Sequence, residues 1–367
     1  MSLDAEGGTA LVVVSRPGSL LALRLQPLLP GSRAFLPERF VASEAARVHA
    51  WRGPVRGLIA RLFSEYKSIV IFGSVGMAVR LVAPFVQDKH SDPAVVVVDD
   101  AGRFAVSVLS GHLGGANALA EEVAPLIGAM PVVTTGSEVL GMPAVDLLGR
   151  EFGWRIETPE EVTAVSAAVV NGDAVGVYQD AGEPLAWMRD GSAGPGFTTY
   201  ESVDDLLASG CRAALLVTDR LLSGWRGRLR AVVYRPRSLA LGVGCNRGTS
   251  EGEIADVVSA VLEAHGLSSA SLRELATIEL KRDEAGLAGY ASSAGLPVRF
   301  YSPEELRAVR DVPNPSLVVH RWTGTAGVCE PAALLASGGG DLVVPKTKSG
   351  NVTVAVARVR FTAGGEE

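Results

Sequence analysis

The stretch that most restricts the fold runs from Phe104 to Ala124. Phe104-Ala-Val-Ser-Val-Leu109 is an apolar run of strand length. It leads into Ser110-Gly111-His112-Leu-Gly114-Gly115, after which Ala116, Leu119, Ala120, Val123 and Ala124 recur at helical spacing. Strand, glycine-bearing loop and helix in that order form one unit of an α/β sheet. In open sheets of this class ligands bind outside the carboxyl ends of the strands. The first turn of the following helix then offers backbone N–H groups to an anion. A histidine stands in the loop itself.

The same grammar repeats along the chain. Strands are expected at 10–15, 68–72, 94–98 and 132–135, with helices over 17–29, 55–63 and 76–85. The runs are continuous in β-branched residues, as in Ala94-Val-Val-Val-Val98, rather than alternating. That pattern predicts a mostly parallel sheet covered on both faces. From about Met142 the texture changes. Helical spacing over 145–152 and 160–170 precedes shorter strand signals at 173–178, 213–217 and 229–234, with a Gly- and Pro-rich polar stretch over 190–199. The α/β pattern restarts at Ser238, with strands at 238–243, 272–276, 297–301, 341–344 and 352–356 and helices over 249–262 and 327–336. The expected organisation is an N-terminal doubly wound, mostly parallel sheet over 1–140, a small α/β middle region over 141–235, and a C-terminal α/β module with a mixed sheet over 236–367.

Several classes of function are disfavoured. A formal net charge of -6 gives no basic face for duplex nucleic acid. No apolar run reaches the roughly 20 residues that span a bilayer, and the polar N-terminus lacks a signal-peptide pattern. Cys211, Cys245 and Cys329 are far apart and form no CxxC pair, which fits a reducing cytoplasm better than a disulfide framework. The histidines show no metal-ligand spacing, so no protein metal site is expected.

The candidate site residues cluster at strand ends. His112 has two open roles: a general base near neutral pH, or a donor that holds its loop. Asn117 on the next helix is either a ligand contact or a cap. Thr134, Thr135 and Glu138 follow the closing strand and are expected at the same sheet edge, as site groups or as a plain N-cap and helix-start cluster. Gly73 with Arg80, and Lys89 ahead of Asp92-Pro93, are expected as further anion contacts or as plain turn and surface residues. Gly242-x-Gly244-x-x-x-Gly248 departs from the dinucleotide spacing GxGxxG. It reads as an anion-binding loop with Arg247, or as a turn required only for packing. Lys281 lies in a charge run over 279–284 that is also a common solvated helix start.

Taken together, the motifs resemble one family. Ile71-Phe-Gly-Ser-Val-Gly-Met-Ala-Val-Arg80, Asp88-Lys-His-Ser-Asp-Pro93, Leu109-Ser-Gly-His-Leu-Gly-Gly-Ala-Asn117 and Pro131-Val-Val-Thr-Thr135 occur in this order. They are similar to the N-terminal module of the CbiG family, the cobalt-precorrin-5A hydrolases of anaerobic cobalamin biosynthesis. Gly242-Val-Gly-Cys-Asn-Arg-Gly-Thr-Ser250, Glu279-Leu-Lys-Arg-Asp-Glu284, Val328-Cys-Glu330 and Thr353-Val-Ala-Val356 resemble its C-terminal module. Where the family commonly has Ala-Thr-Asp after the paired threonines, this chain has Gly136-Ser137-Glu138.

The resemblance implies a substrate and a reaction. The substrate is a cobalt-bearing anionic tetrapyrrole whose ring-A acetate closes a δ-lactone onto the C20 bridge carbon. Water opens the lactone and C20 leaves with its methyl as acetaldehyde, giving cobalt-precorrin-5B. The cobalt is carried by the substrate, so no cofactor is implied, and the expected partners are that substrate and other enzymes of the pathway. His112 and Glu138 are then the implied catalytic pair. The implied substrate contacts are Gly73, Arg80, Lys89, Ser110, Gly111, Gly114, Gly115, Asn117, Thr134, Thr135, Gly244, Arg247, Lys281 and Glu330. The competing reading is a non-catalytic corrinoid-binding or carrier protein of the same pathway.

Overall fold

The computed structural model describes residues 8–41, 47–88, 91–136, 142–184, 196–310, 312–315 and 327–361. It separates into two compact units, Met1–Leu147 and Leu148–Glu367.

The first unit is built on strands β1 (Thr9–Val13), β2 (Arg33–Pro37), β3 (Val48–Trp51), β4 (Ser68–Phe72), β5 (Ala94–Val98), β6 (Phe104–Leu109) and β7 (Met130–Val132). They form one seven-stranded sheet in the order β3-β2-β1-β4-β5-β6-β7. Helices α1 (Arg16–Leu25), α2 (Val55–Glu65), α3 (Val75–Val82) and α4 (Ala116–Ile127) cover it. The strands obey their period of two. Leu11, Val13, Val70, Phe72, Val96 and Val98 share a core with Ala22 and Leu25 of α1 and Leu119 and Val123 of α4. Ala10, Val12, Ile69, Ile71, Val95 and Val97 face the other way, onto Leu58, Ile59 and Leu62 of α2 and Ala78 and Val82 of α3. Each such side chain contributes roughly 1.5–3 kcal/mol when fully buried, which is why both faces read as apolar in the sequence.

The sheet is mostly parallel, as expected, with one antiparallel pair. β5 and β6 are antiparallel, while β6 and β7 are parallel to each other. The last two strands therefore run against the first five. Only residues 99–103 separate β5 from β6, too few for the crossover that a parallel pair needs. They form a turn instead, with the Asp99 carboxylate accepting from the N–H groups of Ala101, Arg103 and Phe104 at 3.3, 2.7 and 2.7 Å. The strand expected at 132–135 lies at Met130–Val132. The short strands β2 and β3 were not foreseen.

The second unit carries two five-stranded sheets. Strands β8 (Arg155–Ile156), β9 (Val175–Gln179), β10 (Phe197–Tyr200), β11 (Ala213–Val217) and β12 (Arg230–Arg235) form one, in the order β10-β9-β11-β12-β8, with helices α5 (Val162–Asn171) and α6 (Val203–Ala208). Residues 145–152 are turns closed by a 3-10 turn at Arg150–Phe152, not the expected helix. Strands β13 (Leu239–Cys245), β14 (Leu272–Ile278), β15 (Val298–Tyr301), β16 (Asp341–Ser349) and β17 (Val352–Arg358) form the other, in the order β15-β14-β13-β17-β16. β13, β14 and β15 are parallel, and β17 and β16 are antiparallel, so this sheet is mixed as expected. Its helices are α7 (Glu251–Ala264), α8 (Ala285–Ser293), α9 (Pro303–Ala308) and α10 (Cys329–Ala336). Asp219 joins the two sheets. Its carboxylate accepts from Arg358 at 2.8 and 2.6 Å and from the Ser238 hydroxyl at 2.9 Å, and its carbonyl accepts from Ser268 N–H at 2.8 Å.

Candidate active site

The loop that follows β6 folds back over the start of α4. Gly115 N–H donates to the His112 carbonyl at 3.0 Å, Ala116 N–H to the Ser110 carbonyl at 3.1 Å, and Asn117 N–H to the Gly111 carbonyl at 3.0 Å. Gly115 starts the helix with a φ of 86°, a left-handed conformation that glycine adopts without steric cost. The first-turn N–H groups of Ala116 and Asn117 were expected to meet a bound anion. The loop's own carbonyls have taken these two up.

Asn117 is the buried anchor of the region. Ser107 Oγ on β6 donates to Asn117 Oδ1 at 2.7 Å, and Asn117 Nδ2 donates to Thr135 Oγ1 at 2.9 Å. One side chain thus ties β6, α4 and the segment after β7. Because β7 is parallel to β6, Thr134 and Thr135 emerge at the same sheet edge as His112, as expected. Thr134 is exposed and Thr135 half-buried.

His112 is paired with a carboxylate. Its Nδ1 lies 3.1 Å from Asp146 Oδ1, and both side chains are about 15% exposed, at 15% and 14%. An ionised carboxylate can only accept, so Nδ1 donates and the lone pair of the neutral ring sits on Nε2. A carboxylate-oriented imidazole with its acceptor at Nε2 is the arrangement of a general base. Asp146 escaped sequence reasoning because it stands 34 positions away in a stretch that reads as helical. The available signal was an acidic residue between Val145 and Leu147. Glu138 and Lys89 lie outside the described residues.

Gly73 and Arg80 do not join this loop. Phe72 pairs with Val98, which pairs with Ala105, whereas Leu109 pairs with Val95. The loop after β4 is therefore at the opposite sheet edge from the loop after β6, a direct consequence of the β5–β6 reversal. Arg80 is exposed and folds back on its own helix, Nη1 donating to the Gly76 carbonyl at 3.0 Å. Asp92 caps a turn, its carboxylate accepting from Gln87 N–H at 2.9 Å.

The remaining residues belong to the second unit. Gly242 lies inside β13, within the strand expected over 238–243, and β13 runs on through Gly244 to Cys245. A Cβ on Gly242 would fall 1.9 Å from the Cys329 carbonyl, and one on Gly244 2.6 Å from Thr353 Oγ1, so both are required for close packing. The following loop holds a carboxylate of the chain itself. Glu284 accepts from Gly248 N–H at 2.9 Å and from Lys281 Nζ at 2.9 Å, with Arg247 Nε 3.6 Å away. The Lys281 hydrogen bond and then that of Gly248 N–H hold the Glu284 carboxyl below the usual carboxylate range, against desolvation. Glu330 is buried and occupied. Its carboxylate accepts from Asn314 Nδ2 at 2.8 Å, Asn314 N–H at 3.0 Å and Lys346 N–H at 2.9 Å.

Comparison with known proteins gives three matches to domain families in chain order. These are Cobalamin synthesis G N-terminal over residues 57–138, Cobalamin biosynthesis central region over 143–236, and Cobalamin synthesis G C-terminus over 239–357. The cobalt-precorrin-5A hydrolase of Priestia megaterium is 42% identical over 363 residues, 98% of this chain and 97% of the relative. That of Salmonella typhimurium is 32% identical over 337 residues, 90% of this chain and 92% of the relative. The protein CobE of a Sinorhizobium species is 33% identical over 121 residues, 32% of this chain and 79% of the relative.

Proposed function

The chain belongs to the CbiG family, and from that membership we propose that it hydrolyses cobalt-precorrin-5A. The observation that carries this reading is full-length identity of 42% to a relative of that name. The substrate's ring-A δ-lactone is opened with water, and C20 departs with its methyl as acetaldehyde, leaving cobalt-precorrin-5B. The cobalt ion enters and leaves with the substrate. Free thiols at Cys211, Cys245 and Cys329 suit a reducing cytoplasm.

The His112–Asp146 pair is the chemical centre in this reading. Lactone opening needs a group that takes a proton as the nucleophile attacks, and C–C cleavage needs one that takes the C20 hydroxyl proton. The Nε2 lone pair can serve both steps in turn. Asp146 holds the ring in the required tautomer and stabilises the imidazolium that forms. A positioned base of this kind is worth roughly 10²–10⁴ in rate.

Mass spectrometry of the tetrapyrrole after incubation with the protein tests the reading. The expected product has gained one water and lost the two-carbon aldehyde. An unchanged tetrapyrrole that co-elutes with the protein would contradict hydrolysis and leave a corrinoid carrier.

A further inference from the structure

We propose that Ser110 is the nucleophile of the lactone-opening step, forming an ester between its Oγ and the ring-A acetate before water releases it. The proposal rests on the hydrolase reading above. Three features of Ser110 carry it.

The first is its backbone. Ser110 has a φ of 56° and is, with Arg47, one of two non-glycine residues with positive φ among the described residues. For a residue with a Cβ this left-handed conformation is sterically unfavourable. It stands at the turn where a strand ends and the path to a helix begins, the place where strained serines present their hydroxyls in other hydrolases. The second is its hydroxyl. Oγ is shielded from solvent and has no hydrogen-bond partner among the described residues, an unfavourable state for a buried hydroxyl. The third is the construction around it. A Cβ on Gly114 would lie 2.3 Å from Ser110 Cβ, so the loop admits only glycine where it passes this serine. The Ser110 and Gly111 carbonyls are each clamped by the first N–H groups of α4. The fold thus holds one serine in an unfavourable conformation with its polar atom uncommitted. A substrate that engages Oγ supplies the missing partner.

The neighbours fit the step. His112 is two positions along the same loop and is oriented by Asp146. The N–H of Gly111, immediately after the nucleophile, makes no hydrogen bond to the described residues and is the donor expected for the developing oxyanion. Residues 111, 114 and 115, which neighbour Ser110 in the loop, carry no side chains.

The chemistry balances. Oγ attacks the lactone carbonyl, its proton passes to His112 Nε2, and the lactone C–O bond breaks with that proton delivered to the C20 oxygen. The C20 hydroxyl proton then returns to His112 as the bond from C20 to the macrocycle breaks. The macrocycle takes the electron pair and then that same proton from His112, which leaves the imidazole neutral again, and acetaldehyde departs. Water, deprotonated by His112, attacks the ester, restoring Ser110 Oγ–H and freeing the carboxylate.

The test uses the full chain. Wild type is treated separately with a fluorophosphonate probe and with cobalt-precorrin-5A quenched in acid, and the peptide that contains Ser110 is analysed by mass spectrometry. The proposal expects the phosphonyl group on Ser110 in the first sample and the tetrapyrrole ester there in the second. Ser110→Gly relieves the left-handed strain, so it should fold with a melting temperature at or above that of wild type. It should lose both adducts and release acetaldehyde about 10³-fold more slowly or worse. A folded Ser110→Gly protein that releases acetaldehyde at the wild-type rate would overturn the nucleophile while leaving the hydrolase reading intact. If wild type releases no acetaldehyde, the hydrolase reading fails. The fluorophosphonate label still decides for Ser110, since its absence there overturns the proposal.

Discussion

Asp146 Oδ1 sits 3.1 Å from His112 Nδ1 across 34 residues of sequence, and that pair turns a loop histidine into an oriented base. Asp146 acts through His112 rather than on the substrate, so its removal has a distinct signature. Asp146→Asn presents an amide that can donate to Nδ1 and so favours the wrong tautomer. We expect kcat to fall by about 10²-fold or more with KM little changed, read in steady-state acetaldehyde release. A rise in KM at unchanged kcat would instead assign Asp146 to substrate binding.

Asn117 holds the same region together by a different means. Its amide bridges the Ser107 hydroxyl at 2.7 Å and the Thr135 hydroxyl at 2.9 Å. Asn117→Ala leaves both hydroxyls short of a partner and opens a small void. The expected loss is roughly 1–3 kcal/mol, visible as a lower urea midpoint for the first unit. An unshifted midpoint would mean that water replaces the amide at no cost.

The second unit offers a paired comparison. Arg358 meets Asp219, which is fully buried, whereas Arg220 meets Asp180 with its own side chain 56% exposed. Arg358→Met strands a buried carboxylate and should cost about 3–5 kcal/mol. Arg220→Met should cost under about 1 kcal/mol. Urea titrations of the two variants check the order, and equal losses would contradict the burial argument.

Glu284 gives a pH dependence. Its carboxyl is held low chiefly by the Lys281 hydrogen bond and next by Gly248 N–H. A depressed carboxyl stabilises the fold above its unfolded value, about 4.3, and that contribution fades as pH falls through the folded value. Glu284→Gln should therefore be less stable than wild type at neutral pH, and the gap should narrow in acid. A constant gap in thermal melts from pH 7 down to about 3 would rule out this linkage.

Much of this architecture was legible because burial on two faces writes itself as continuous β-branched runs. The strands at Ser68–Phe72, Ala94–Val98 and Phe104–Leu109 stand where Val and Ile cluster. What the pattern cannot carry is direction. Periodicity is the same for a parallel and an antiparallel strand, and only the short 99–103 link signalled that β6 reverses. That reversal separates Gly73 and Arg80 from His112. The short strand β2 escaped because it ends in proline and spans only Arg33–Pro37. At the site, Ser-Gly-His and the glycines were visible as local motifs. Asp146 was not, because its partnership is set by chain folding. Glycines likewise look alike in sequence: Gly115 turns the backbone, while Gly242 makes room for the Cys329 carbonyl.

The most direct test of the His112 centre is acetaldehyde release under single-turnover conditions, comparing wild type with His112→Ala. Folding of the variant is first confirmed by circular dichroism. Wild type should release one equivalent of acetaldehyde per cobalt-precorrin-5A consumed, and the variant should be slower by about 10²–10⁴-fold. A folded His112→Ala protein that releases acetaldehyde at the wild-type rate would contradict the account.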